Sequence, residues 1–412
     1  GETLFWGMAY GTFWWFLGPL TLLPIIRGFA PAWDLALAQE RFPLLLGHVL
    51  YGSILGLLLV LLQWQRRVQD GTLQLSAGSL VRGTLAGILA ASLLGWALAA
   101  QNRLEPLAGL ISGDSVGVAW LLTLALGLVA GLGFALLYPK PTDSAGADLI
   151  RGLIYGFFFW VVGVLTVVPL LGGAGLIWSL TGIREIFPTF AGFLLFGAAI
   201  ALFYQVLGDL VELLFADIVG SSIDEGVGIV GLRVVGRSAL AGLAGGLIFS
   251  LVMWQTGFLK YVAGLVGEHS AVTGFVVHLV IAVLVGTSYG ILFRQQSYDL
   301  GSALGWGVSY GFFWAILGPI TLMPILLGGA PQWTPGAVAG AFPNLIGHLA
   351  YGAGLGVVYY LLQARDNPWW IPRTEMQATQ VARRKDQLLT SAPALWTLVV
   401  IIGLTMPILL VP

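Results

Sequence analysis

The chain contains no cysteine. That excludes disulfides, thiolate metal ligands and cysteine-held iron–sulfur clusters, while leaving the compartment open. Charge is scarce as well, with 9% of residues being Asp, Glu, Lys or Arg against about 25% in soluble domains. A net charge of −1 says little about partners, while the lack of any basic tract argues against a nucleic-acid partner. Enzyme signatures are missing too. No glycine loop opens a helix after a strand, and neither a nucleophile elbow nor HExxH occurs. The four His and the few carboxylates do not cluster at metal-ligand spacing. The reading is therefore non-enzymatic, with no side-chain metal cluster.

What is present is apolar. Hydrophobic residues make up 58% of the chain, and mean hydropathy is +0.91. Uncharged runs long enough to cross a bilayer predict eleven transmembrane helices, over 4–26, 43–63, 80–99, 117–138, 150–171, 188–208, 235–257, 272–293, 302–326, 343–363 and 391–411. This is an all-α integral membrane protein in contact with lipid. Glycine supplies 58 of 412 residues, about twice the average share. Pairs such as Gly7/Gly11, Gly152/Gly156 and Gly307/Gly311 have the spacing that lets helix backbones approach closely.

Residues 1–63 recur at 301–363 with no gap, and about half of the aligned positions are identical. A third copy lies between them: Tyr155-Gly156, Thr166, Pro169, Trp178 and Phe187-Pro188 follow the first at a shift of 145. Arg82-Gly83 and Gly87 match Arg237-Ser238 and Gly242 at a shift of 155. A fixed long period sets the architecture before any single residue is weighed. The unit is four helices, so every copy starts from the same side, as parallel repeats do. The expected organisation is repeat 1 over 1–145, repeat 2 over 146–299 with an insertion near 209–235, and a half repeat over 300–363. A polar linker over 364–390 and a closing helix within 391–412 complete it. The N-terminal side and the loops after even-numbered helices hold thirteen of the eighteen Lys and Arg. By the positive-inside rule the N-terminus is cytoplasmic and the C-terminus external. Trp33, Trp178 and Trp333 then fall in external loops at equivalent places, where they are expected to act as interface anchors.

Two motifs stand out. The first, third and fifth of the repeat hairpins begin with a helix that ends in a break, marked by Thr21 and Pro24, Thr166 and Pro169, and Thr321 and Pro324. Each Pro deletes an N–H and frees a carbonyl one turn back, which a Thr hydroxyl or a neighbouring group must satisfy in hydrocarbon. The even-numbered helices carry His48, His278 and His348, each followed at i+8 by glycine. Phe193 and Thr123 take the equivalent places elsewhere. A neutral imidazole can ligate a haem iron or a (bacterio)chlorophyll magnesium, and its groove of glycines could seat a flat ligand, a lipid or a neighbouring helix. The plainer alternative is an imidazole N–H bonded to the carbonyl that Pro24 or Pro324 frees.

The wording Gly347-His348-Leu349-Ala350-Tyr351-Gly352 to Gly356, echoed by Gly47-His48 to Tyr51-Gly52 and Gly56, resembles the YagU-like bacterial inner-membrane proteins. The resemblance implies a bacterial multi-pass membrane protein and carries no biochemical role. Two functional classes fit all of this. One is an accessory subunit of a larger bacterial cytoplasmic-membrane complex, possessing other membrane subunits as partners and holding a lipid or tetrapyrrole at the His sites. The other is a small-solute or ion transporter or channel built from parallel repeats. The near absence of charges within the spans favours the first.

Overall fold

The computed structural model describes residues 2–70, 76–105, 115–139, 144–173, 175–215, 227–293, 296, 299–364, 392–405 and 408. The expected polar linker over 364–390 lies almost wholly outside them, as do the side chains of the inserted segment up to residue 233. Among the described residues the chain is helical, without strands, and ten helices are long and apolar enough to span a membrane. They are α1 (Glu2–Ile26), α2 (Phe42–Gln69), α3 (Ala77–Ala100), α4 (Val116–Leu137) and α5 (Ala145–Leu171). There follow α6 (Pro188–Phe215), α7 (Val227–Thr256), α8 (Ala271–Phe293), α9 (Leu300–Leu326) and α10 (Phe342–Ala364). The protein is thus an all-α multi-pass membrane protein. The eleventh helix, α11, is described over Ala392–Val400 and continues through Ile401–Thr405.

Successive helices pair as the hairpins α1/α2, α3/α4, α5/α6, α7/α8 and α9/α10. Glycine makes these contacts possible. A methyl group on Gly7 would strike the Gly52 carbonyl, and one on Gly307 would strike that of Gly352. Gly11 and Gly311 likewise lie against the carbonyls of His48 and His348. The glycines that follow His48 and His348 therefore seat the neighbouring helix backbone, the tight packing that small residues permit in lipid.

Two hairpins add a further layer in the same way. The α3/α4 hairpin lies on α5/α6 through α3 and α6, and α7/α8 lies on α9/α10 through α7 and α10. Tyr155 of α5 donates to the Ala130 carbonyl of α4 at 2.7 Å, and Tyr310 of α9 donates to the Val285 carbonyl of α8 at 3.2 Å. Helix α11 packs on α1, α5 and α9, the first helices of the three copies. Its Thr397 hydroxyl donates to the Phe5 carbonyl at 2.9 Å.

Candidate functional site: the histidine cleft and the broken helices

Each first helix of a copy passes through π-helical turns before its end, at Phe16–Leu22, Trp160–Val167 and Gly318–Leu322. The carbonyl freed by the second proline is taken up by the returning loop. Ala32 N–H donates to Leu20 O at 2.7 Å, Ile177 N–H to Leu165 O at 3.2 Å, and Gln332 N–H to Ile320 O at 2.7 Å. The threonines serve the π turn instead. Thr21, Thr166 and Thr321 donate five residues back, to the carbonyls of Phe16, Val161 and Ile316, at 2.7–2.8 Å. Each hydroxyl then accepts the indole N–H of its own loop tryptophan: Trp33 at 3.1 Å, Trp178 at 3.2 Å and Trp333 at 2.9 Å. The middle copy keeps this device with Val164 where the others have Pro19 and Pro319. The first proline is thus dispensable to the π turn.

The three Trp expected as interface anchors thus give their N–H groups to Thr21, Thr166 and Thr321, and so pin each loop to its broken helix. Trp333 is 2% exposed and packs over Gly192 of α6, and Trp178 packs near Gly47 of α2. Each loop Trp of the second and third copies therefore reaches the copy before it. Trp33 remains 64% exposed and stacks on Phe16.

The plainer account of the His residues is also corrected in its detail. With the proline-freed carbonyls already engaged, His48 Nδ1 bonds the Leu44 carbonyl at 2.7 Å, and His348 Nδ1 bonds that of Asn344 at 2.8 Å. His278 instead crosses between helices, from Nε2 to the Gly246 carbonyl of α7 at 3.0 Å. A carbonyl only accepts, so the bonded nitrogen carries the proton in each ring. In the neutral imidazole the other nitrogen is then a free lone pair. Fixing one nitrogen on a carbonyl is also how proteins orient a ligating histidine.

The three His do not converge. His278 and His348 line one cleft of about 210 Å³ between α7, α8, α9 and α10. Phe249 touches both rings, with centroids 5.2 Å from His278 and 4.5 Å from His348. Met253, Val262, Leu322 and Met323 are among the apolar side chains that complete the wall, with Tyr351 and Trp314 beside them. Tyr351 gives its hydroxyl to the Ala282 carbonyl at 2.8 Å. The broken end of α9 forms part of the wall through Gly318 and Pro319, and a methyl group on Gly318 would stand 3.6 Å from His348 Nε2. Among the described residues no Lys, Arg, Asp or Glu lines the cleft. His48 sits apart, in an open hollow with Tyr10, Trp14, Tyr51 and Trp178.

One charged cluster escapes a reading by motif. Arg151 of α5 pairs with Glu2 of α1 at 2.7 Å and with Asp148 at 2.8 Å, and lies over the Tyr138 ring at 5.1 Å. Arg151 and Asp148 are both buried, although by sequence Arg151 counts among the surface charges that set orientation. The i,i+3 spacing of Asp148 and Arg151 was a visible signal. The repeat hides it, because Trp6 and Trp306 hold the equivalent places.

Among the described residues no group of three or more His, Asp or Glu could hold a metal ion. Compared with protein-family models, with curated proteins and with solved structures, the chain matches none, so its role has to be argued from this geometry alone.

Proposed function

We propose that the chain is a non-enzymatic subunit of a larger assembly in the bacterial cytoplasmic membrane, with its N-terminus on the cytoplasmic side, and that the α7–α10 cleft holds a hydrophobic tetrapyrrole. The observation that carries this is one apolar cleft containing two histidines, each held by one nitrogen and left with a lone pair on the other. His278 or His348 would hold the metal of a magnesium or iron macrocycle through its free nitrogen. Phe249 touches both rings, which suits one ligating histidine for the bound group. A cleft without Arg or Lys has nothing to pair with free propionates, so an esterified, uncharged macrocycle fits better than a dicarboxylate haem. The resemblance to YagU-like proteins agrees with the membrane and adds no role.

Transport has less support. Discontinuous helices serve carriers by offering unwound carbonyls to ions, and the three carbonyls freed by Pro24, Pro169 and Pro324 are already bonded to loop N–H groups.

The test is an absorption spectrum of the protein purified from native membranes in mild detergent, with a native gel alongside. We expect visible or near-infrared pigment bands that His348→Ala or Gly318→Leu removes while the helical circular dichroism is kept. A colourless protein whose tightly held lipid is lost on Phe249→Ala would replace the pigment by an acyl chain. A colourless, lipid-free, lone monomer would sink the reading.

A further inference from the structure

A hollow of about 360 Å³, separate from both histidine sites, lies between α2 and α4 with α5 behind it. Leu57, Leu61 and Trp64 belong to the α2 wall, Val129 and Leu136 to the α4 wall, and Tyr155 to the floor. The Tyr155 hydroxyl is engaged by the Ala130 carbonyl at 2.7 Å. Among the described residues no charged side chain lines the hollow. Water finds no set of polar partners in such a space, so within a membrane it suits hydrocarbon.

The groove is a constant of the fold, because the molecule builds the same junction twice and leaves it open both times. Leu61, Val129 and Leu136 are 45–59% exposed. Their repeat equivalents between α6, α8 and α9 are Val206, Leu284 and Ile291, which are 57–65% exposed. Among the described residues neither junction is covered by a further helix. That favours a lipid chain over a polypeptide as the occupant. From Leu57 to Trp64 the α2 wall runs roughly 10 Å at 1.5 Å per residue, which fits inside the ~15 Å depth of a single leaflet.

Charge at the mouth selects the headgroup. Helix α2 is 28 residues long, whereas about 20 cross the hydrocarbon, so Trp64, Arg66 and Arg67 stand at headgroup level. Arg67 follows Val60 and Trp64 on one face of the helix, and both of those residues line the hollow. Arg66 and Arg67 are exposed, and Asp70 offsets one of their two charges. In α6 the positions of Trp64 and Arg67 are taken by Asp209 and Glu212. The α2 wall thus ends basic where the sequence of its equivalent turns acidic.

We infer that the α2/α4 groove holds one acidic phospholipid. An acyl chain lies along Leu57, Leu61 and Val129, its phosphate meets Arg66 and Arg67, and Trp64 stands at the level of the glycerol. The inference needs neither a partner subunit nor a pigment, and it holds for either orientation of the protein in the membrane.

The test titrates the purified protein in mild detergent with phosphatidylglycerol or with phosphatidylethanolamine of the same chain length. Native mass spectrometry counts the lipid retained. One phosphatidylglycerol per chain should be held in preference to phosphatidylethanolamine. The double variant Arg66→Gln/Arg67→Gln should cut that preference by roughly tenfold. Leu61→Trp, which fills the groove from an exposed position, should displace the lipid. If that variant loses helical circular dichroism, Leu136→Trp on the facing wall gives the same reading. Equal retention of the two lipids would overturn the inference, as would a preference untouched by the double variant or binding that survives a filled groove.

Discussion

Arg151 brings a full charge into a membrane-spanning helix and is tolerated because two carboxylates meet it, Glu2 from α1 and Asp148 from its own helix. Breaking a buried ion pair on one side leaves an uncompensated charge, which costs about 3–5 kcal/mol, while replacing all partners together is often nearly neutral. Arg151→Met should therefore lower the thermal midpoint of the detergent-solubilised protein substantially. Adding Glu2→Gln and Asp148→Asn to the same variant should recover most of that loss. If the single and triple variants melted alike, the cluster would be no more than a surface pair. The two charged residues of α5 were legible in the sequence as an i,i+3 pair. Their burial was not, because it is created by α1 and Tyr138 closing over them from elsewhere in the chain.

At the scale of single elements, the broken helices show what a proline motif can and cannot say. Thr21, Thr166 and Thr321 were recognisable as groups that satisfy backbone, and each does bond a carbonyl. The particular carbonyl could not be read, because the one that proline frees is met by a loop N–H twelve residues further on. Nor could Trp33, Trp178 and Trp333 be told from surface anchors. An amphipathic indole suits either place, and only the loop geometry brings its N–H to the threonine. Trp333→Phe removes a donor from a buried hydroxyl and should cost about 1–3 kcal/mol. Trp33→Phe, in a solvent- or lipid-exposed latch, should cost less, with Trp178→Phe between them. Thermal midpoints of the three variants would check the order, and an equal loss at all three would reject burial as its cause.

For the molecule as a whole, the direction of insertion is the next quantity to measure, and a chain without cysteine is well suited to it. The distribution of Lys and Arg predicts that the loop after α1 is external. A single Phe29→Cys should react with an impermeant maleimide on intact cells, and Asp70→Cys only after permeabilisation. The reverse pattern would turn the protein over and move the histidine cleft toward the opposite face of the membrane.

The sequence by itself determined the class of protein, ten of the eleven spans it predicted, the hairpin order and the places where backbone would be freed. Those follow from local quantities, namely run length, proline and the transfer cost of charge. Tertiary structure alone decided that His278 and His348 share a cleft while His48 does not, that glycines beside the histidines seat a helix, and that Tyr10 is exposed where the equivalent Tyr155 and Tyr310 are buried. The repeat concealed these differences. Equivalent residues such as Tyr10 and Tyr310 have the same local chemistry, and their environments diverge only because a hairpin from another part of the chain lies over one and not the other.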